Sequence, residues 1–396
     1  VASYSKVEMK TMIRLSKSAC LIMLSFSLAA RSLAVEQSAP AAIVPARFPL
    51  APYDEALYLP IEIDNERLLF LLDTGCSLIA LGKDLPVVAS LERSEMPVGG
   101  ASGRRKKLPI VRCPRLIVPG AALPKKLGGA LLVDFDTLRK VLDRPVEGVL
   151  GMPFFVSNVV QLDFDTNEWR ALPVGTKPRA DWGVELEVTY SPGACPQIRV
   201  AVADSDPISF KVDTGSNSAV TLDRELFQSL VESKKIELVS QTAVQSIHGK
   251  NTRRTAHGLV LGVANHRMQE LPVLEGSENR IGLEFLRRYL VTFDLAETRI
   301  FLAPNKRFRE PWPVHDGSIG TWRNDGRIEI AHVARYSEVS STGLSVGDEL
   351  VRLDGENVID WPLGRVREQL GQADRPRRLV IRRLGSEVSI TLPPSR

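Results

Sequence analysis

One short pattern occurs twice in this chain, with its parts in the same order, and that repetition restricts the fold more than any other feature. Asp73-Thr74-Gly75-Cys76-Ser77 follows the apolar run Leu68-Leu69-Phe70-Leu71-Leu72 and precedes Leu78, Ile79 and Leu81. Asp213-Thr214-Gly215-Ser216-Asn217 follows Ile208, Phe210 and Val212 and precedes Ala219, Val220 and Leu222. β-Favouring residues on both sides of a turn containing Asp and Gly predict strand, tight turn, strand. A second shared block follows each turn. Gly148-Val149-Leu150-Gly151 leads into Val159-Val160-Gln161-Leu162-Asp163, and Arg280-Ile281-Gly282 leads into Leu290-Val291-Thr292-Phe293-Asp294. Internal duplication explains this shared order, so the stretch from Leu50 to about Ala303 is expected to form two similar, mainly β lobes.

Two carboxylates on two equivalent turns suggest a chemistry. Hydrolysing a peptide bond without a metal or a covalent nucleophile requires activating a water and protonating the leaving nitrogen. Facing carboxylates can do both, because like charges a few ångströms apart cannot both ionise and the pair shares one proton. Asp73 and Asp213 are the candidates for that pair. Gly75 and Gly215 let the backbone approach closely, Thr74 and Thr214 can bridge to the opposite loop, and Ser216 offers a further donor to its carboxylate.

Residues 50 to 303 resemble the pepsin-like and retropepsin-like aspartic peptidases, with both lobes fused in one chain. The resemblance rests on Asp73-Thr74-Gly75 and Asp213-Thr214-Gly215, which match the catalytic triplets. It also rests on Leu150-Gly151 and Ile281-Gly282, which match the apolar-Gly element packed behind each triplet. The two aspartates are 140 positions apart (213 minus 73), which implies compact lobes, closer to retroviral protomers than to large digestive enzymes. The resemblance implies a bilobal double barrel, an endopeptidase with no cofactor or metal, a polypeptide substrate, and no need to dimerise. It also implies a flap hairpin in each lobe, for which Gly99-Gly100-Ala101-Ser102-Gly103 and Ile247-His248-Gly249-Lys250 are the candidate tips. Two departures bear on rate and specificity. Cys76 stands where the family carries Ser, Thr or Ala, and no Tyr lies between Asp73 and Gly151, so the pepsin-like flap tyrosine is missing.

Beyond the punctuation of Pro304, Pro311 and Pro313, a third unit is expected from about His315. Arg327 to Val333, Arg378 to Arg382 and Val388 to Leu392 predict strands, Asp354-Gly355 a hairpin, and Arg365 to Leu370 a short helix. Gly343-Leu344-Ser345-Val346-Gly347-Asp348-Glu349-Leu350 with Leu353-Asp354-Gly355 resembles the signature of a PDZ domain. That resemblance implies an α/β domain that captures protein C-termini, with Gly317-Ser318-Ile319-Gly320 as the carboxylate-binding loop.

At the other end, Lys10, Arg14 and Lys17 precede an apolar run from Ala19 to Ala30 and then Ser32-Leu33-Ala34. This is the pattern of a secretory signal peptide, with Met9 or Met12 as its start, and the run is too short to span a bilayer comfortably. The expected organisation is therefore a signal over 1–34, a linker over 35–49, lobes over 50–175 and 176–304, a linker over 305–314, and the PDZ-like unit over 315–396. Export to the periplasm or beyond the cell is expected, with no stable membrane span after cleavage; the alternative reading of the same segment is an uncleaved N-terminal anchor. Cys76, Cys113 and Cys195 would remain, allowing at most one internal disulfide. A net charge of +4 spread over 396 residues gives no domain the strongly basic face of a nucleic-acid binder. Arg104-Arg105-Lys106-Lys107 beside the first flap tip reads as solvated hairpin surface. The five histidines have no metal-ligand spacing, and no nucleophile elbow, phosphate loop or dinucleotide fingerprint occurs. The rival expectation is a non-catalytic peptide-binding protein that uses the same cleft and the PDZ-like unit.

Overall fold

The structure, a computed structural model, describes residues 46–50, 53–99, 105–246, 249–312, 317–334, 337–371 and 375–394. The expected signal peptide, the flap-tip residues Gly100 and His248, and most of the first linker lie outside the described residues. The described chain is mainly β.

The first copy of the repeat contains strands β1 (Ala46–Pro49), β2 (Tyr58–Ile63), β3 (Glu66–Leu72), β4 (Ile79–Gly82), β5 (Arg93–Gly99), β6 (Arg105–Arg112) and β7 (Gly129–Val133). Helix α1 (Asp136–Leu142), β8 (Val146–Leu150), the single turn α2 (Met152–Phe155), β9 (Asn158–Asp163) and β10 (Glu168–Pro173) complete it. The second copy opens with β11 (Val184–Glu187), β12 (Thr189–Tyr190), β13 (Pro196–Val202), β14 (Ile208–Val212) and β15 (Val220–Asp223). It continues through α3 (Arg224–Glu232), β16 (Glu237–Ser246), β17 (Gly249–Val263), β18 (His266–Gly276), β19 (Arg280–Ile281), α4 (Leu283–Leu286), β20 (Tyr289–Asp294) and β21 (Arg299–Pro304).

Local chemistry accounts for many of these elements. β2 alternates half-buried and buried residues, as a strand with one face on the core must, and Asp64-Asn65 turns it into β3 with φ of 49° and 69°. In α3 the Asp223 side chain accepts from the Leu226 N–H at 3.0 Å and caps the first turn.

The duplication reappears as topology. β3 runs parallel to β8, β8 antiparallel to β4, and β4 parallel to β7. In the second copy β14 runs parallel to β19, β19 antiparallel to β15, and β15 parallel to β18. The copies are joined by a shared six-stranded sheet, ordered β1-β10-β9-β20-β21-β11, in which β9 and β20 pair across the seam. Buried aromatics pack on it: Phe155 of the first copy meets Phe293 of the second edge-on at 5.4 Å, and within the first copy Phe48 stacks on Trp169 at 4.1 Å.

The last part of the chain has its own sheet and its own core, which includes Ile330, Leu350, Val366 and Ile381. Its elements are β22 (Ile319–Asn324), β23 (Arg327–Val333), β24 (Glu349–Leu353), β25 (Glu356–Asn357), α5 (Leu363–Gly371), β26 (Arg377–Arg383) and β27 (Ser386–Leu392). The three strands and the helix expected here are present within a few residues of their predicted ends. Ile319 and Gly320, expected in a loop, instead open β22, where they pair with Val333 and His332. An apolar residue beside glycines gave no strand signal, and pairing along β23 overrides that local weakness.

Candidate active site

Asp73 and Asp213 each sit one residue past a strand whose last backbone bonds go to the apolar-Gly element. The Asp73 N–H donates to Leu150 O at 3.1 Å, and the Asp213 N–H donates to Ile281 O at 2.9 Å. Gly151 then passes so close behind the first loop that a Cβ there would lie 2.0 Å from Cys76 O, and one on Gly282 would lie 2.2 Å from Ser218 O. These blocks therefore fix where the aspartate loops stand, and a side chain at either glycine would push its loop out of place.

The loops are bound to each other by their threonines. Thr74 Oγ1 donates to Val212 O at 2.7 Å and accepts from the Thr214 N–H at 2.9 Å. Thr214 Oγ1 donates to Leu72 O at 3.0 Å and accepts from the Thr74 N–H at 3.0 Å. Both threonines are wholly buried. The glycines complete the approach. A Cβ on Gly75 would lie 2.4 Å from Asp213 Oδ1, and one on Gly215 would lie 2.3 Å from Asp73 Cγ. Each carboxyl thus occupies the space that the opposite glycine leaves free, and only glycine fits beneath it.

Each aspartate also accepts from the N–H of its own glycine, Gly75 at 2.6 Å and Gly215 at 3.1 Å. Burial, together with the charge of Asp213, pushes the Asp73 carboxyl up to about 7. No protein-family model and no curated protein matches this chain. Among the described residues no cluster of three or more His, Cys, Asp or Glu could hold a metal, and no helix is long and apolar enough to cross a membrane.

Two predicted supporting roles differ in detail. Ser216 Oγ lies 2.9 Å from Ser218 Oγ, and the Cys76 thiol donates to Leu78 O at 3.2 Å, so both polar groups are engaged within their own loops. Burial, reinforced by the Asp73 charge, pushes the Cys76 thiol up to about 12 and keeps it protonated. Cys76, Cys113 and Cys195 are free thiols.

Both expected flaps are hairpins. β5 pairs with β6 up to Gly99–Arg105, and β16 pairs with β17 up to Ser246–Gly249. Val98, near the first tip, packs against the same apolar cluster as Cys76 and Leu78.

Sequence reasoning missed the charged surroundings of Asp213. Arg280 Nε lies 3.1 Å from Asp213 Oδ2, in a contact of charge because the N–H is not aligned for a hydrogen bond. Lys211 Nζ lies 4.0 Å from the same oxygen, and Glu278 contacts both cations, at 3.4 Å from Lys211 and 2.7 Å from Arg280. Cys195 was also missed; its thiol donates to Gly75 O at 3.2 Å. Nothing in a local motif marks these residues, because Lys211 and Arg280 reach the site from β14 and β19, and Cys195 and Glu278 from the turns before β13 and β19.

In the last unit Ser318 is buried, and its carbonyl accepts from the Ala334 N–H at 2.7 Å. The outer side of β22 faces α5 and the first lobe. Arg367 of α5 donates to Thr321 O at 2.5 Å and to Val141 O at 2.7 Å, and it also pairs with Glu55. Arg323 of β22 reaches Asp143 at 2.8 Å.

Proposed function

We propose that this protein is an exported aspartic endopeptidase of the pepsin-like and retropepsin-like kind, with both lobes in one chain and a C-terminal PDZ-like domain. The observation that carries this reading is the reciprocal seating of the two carboxyls, each over the other loop's glycine, with four threonine hydrogen bonds holding the loops together. In the resting site the pair holds one proton. A water between the carboxyls attacks the scissile carbonyl carbon, giving its proton to the ionised aspartate while the protonated aspartate gives its own to the carbonyl oxygen. When the C–N bond breaks, the proton taken from water passes to the leaving nitrogen. The other returns from the hydroxyl to the aspartate that gave it, so the site ends as it began. The two-fold topology and the shared sheet support the bilobal reading, and in it the hairpins β5–β6 and β16–β17 would serve as the two flaps.

The C-terminal unit supports a PDZ-like reading through its edge strand β22 beside α5, the arrangement in which an added peptide strand could be captured. In this structure Arg367 and α1 stand along that edge, so capture of a C-terminus requires the domain to move away from the first lobe.

The test is cleavage of an unfolded protein mixture from acid to neutral pH, with Asp73→Asn and Asp213→Asn beside the wild type. Loss of cleavage in both variants supports the dyad. No cleavage by the wild type at any pH would defeat it and favour a peptide-binding protein.

A further inference from the structure

The two copies of the repeat provide an internal comparison. In the first, the residues flanking the dyad strand are Leu71 and Val149, which are register partners on the parallel strands β3 and β8. In the second, the equivalent register partners on β14 and β19 are Lys211 and Arg280. An apolar pair beside Asp73 is therefore matched by two cations beside Asp213. Both are well buried: the Arg280 side chain is 8% exposed and that of Lys211 13%. Buried charge is costly unless it is paired, and Glu278 alone supplies one negative charge against two positive ones. The second must come from the dyad.

We infer that Lys211 and Arg280 are positioning residues that hold the dyad's negative charge on Asp213, leave Asp73 as the acid, and set the window in which the pair carries one proton at lower pH than it would have without them. This rests on the aspartic-peptidase reading. The charge count supports it: two cations balance Glu278 and one charged aspartate, so the local cluster is neutral only when the pair carries one proton. A doubly protonated pair leaves it at plus one, and a doubly ionised pair at minus one. The other titratable groups facing the carboxyls are the Cys76 and Cys195 thiols, both raised by burial and therefore uncharged. Burial works against the charge on Lys211, but the charges of Asp213 and Glu278 outweigh it and hold the ammonium above its ordinary value. In this assignment Asp213 takes the proton from water, and Asp73 donates to the carbonyl oxygen.

The test is the pH dependence of kcat/KM for the full chain and for Lys211→Met and Lys211→Arg. Losing a cation disfavours both deprotonations of the pair. Lys211→Met should therefore move both limbs of the profile to higher pH by about one unit, and Lys211→Arg should restore them. A second readout needs no turnover: carbon NMR of the aspartate carboxyls. Wild type should show one carboxyl titrating near neutral pH, lost in Asp73→Asn and shifted upward in Lys211→Met; Lys211→Gln serves if the methionine variant does not fold. Limbs and carboxyl signal both unmoved by Lys211→Met would overturn the inference, as would a near-neutral carboxyl that disappears in Asp213→Asn but persists in Asp73→Asn. A protein that cleaves nothing yet shows the expected titration would defeat the peptidase reading alone.

Discussion

Replacing Thr74 by valine keeps the volume of the side chain and removes its hydroxyl. That hydroxyl donates to Val212 O and accepts from the Thr214 N–H, in a place with no solvent exposure. The variant therefore leaves one backbone carbonyl and one backbone N–H buried without partners. Each such group costs about 1–3 kcal/mol, so the loops should be loosened by roughly 2–6 kcal/mol, against about 1 kcal/mol for an ordinary exposed hydrogen bond. Native-state amide exchange reads this locally. Exchange of the Thr214 N–H should accelerate about 30-fold or more, since roughly 1.4 kcal/mol corresponds to a factor of ten. Thr74→Ser keeps the hydroxyl and should recover most of the protection. Because the same bonds hold the carboxyls at their separation, kcat should fall about 100-fold in the valine variant. If the Thr214 amide exchanged at the wild-type rate in Thr74→Val, the argument that these bonds hold the two loops together would be refuted.

Three further outcomes follow from the same geometry. The Asp73 carboxyl is raised in the fold, so it binds its proton more tightly folded than unfolded, and its contribution to stability is complete below about pH 4 and lost as pH rises through about 7. Asp73→Asn removes that loss; in thermal melts it should match the wild type near pH 4 and exceed it at pH 8, by up to the order of 4 kcal/mol, and equal melting at pH 8 would count against the raised carboxyl. Gly215→Ala places a methyl 2.3 Å from Asp73 Cγ and should cut kcat by about 100-fold or more, measured on any peptide the wild type cleaves. In the C-terminal unit a Cβ on Gly364 would lie 2.2 Å from Tyr53 O, so Gly364→Val should lift α5 off the first lobe. Faster proteolytic nicking after Pro304, with stronger binding of peptides bearing a free C-terminus, is the expected result, and an unchanged cleavage pattern would show that this contact does not hold the domain.

Much of this organisation was legible because it is carried by local pattern. An apolar run ending in Asp-Thr-Gly predicts a strand stopped by a turn, and both copies form one, with each apolar-Gly element bonded behind its turn, as the resemblance implied. Contacts that join distant residues were less legible. The pairing of β9 with β20 depends on the two copies packing against each other, and no short window of sequence specifies a partner more than a hundred residues away. Ser216 and Cys76 stand at the expected positions, yet their polar groups are engaged by Ser218 and Leu78, a choice made by side-chain rotation rather than by sequence position.

The charged residues beside Asp213 show how the duplication could have been used further. Taken singly, Lys211 is one lysine in a strand with partly exposed positions, and Arg280 is one arginine before an apolar-Gly pair. Aligning the copies on their triplets and on Leu150-Gly151 and Ile281-Gly282 sets Leu71 opposite Lys211 and Val149 opposite Arg280. A duplicated fold has the same geometry at equivalent positions, so a difference in charge there cannot be attributed to the backbone. Two apolar residues replaced by two buried cations require a negative charge nearby, and Asp213 is the buried carboxylate within reach. The asymmetry between two otherwise equivalent aspartates thus has its physical origin within two residues of the repeated motifs. Comparing the copies residue by residue, rather than looking only for what they share, is the step that exposes it.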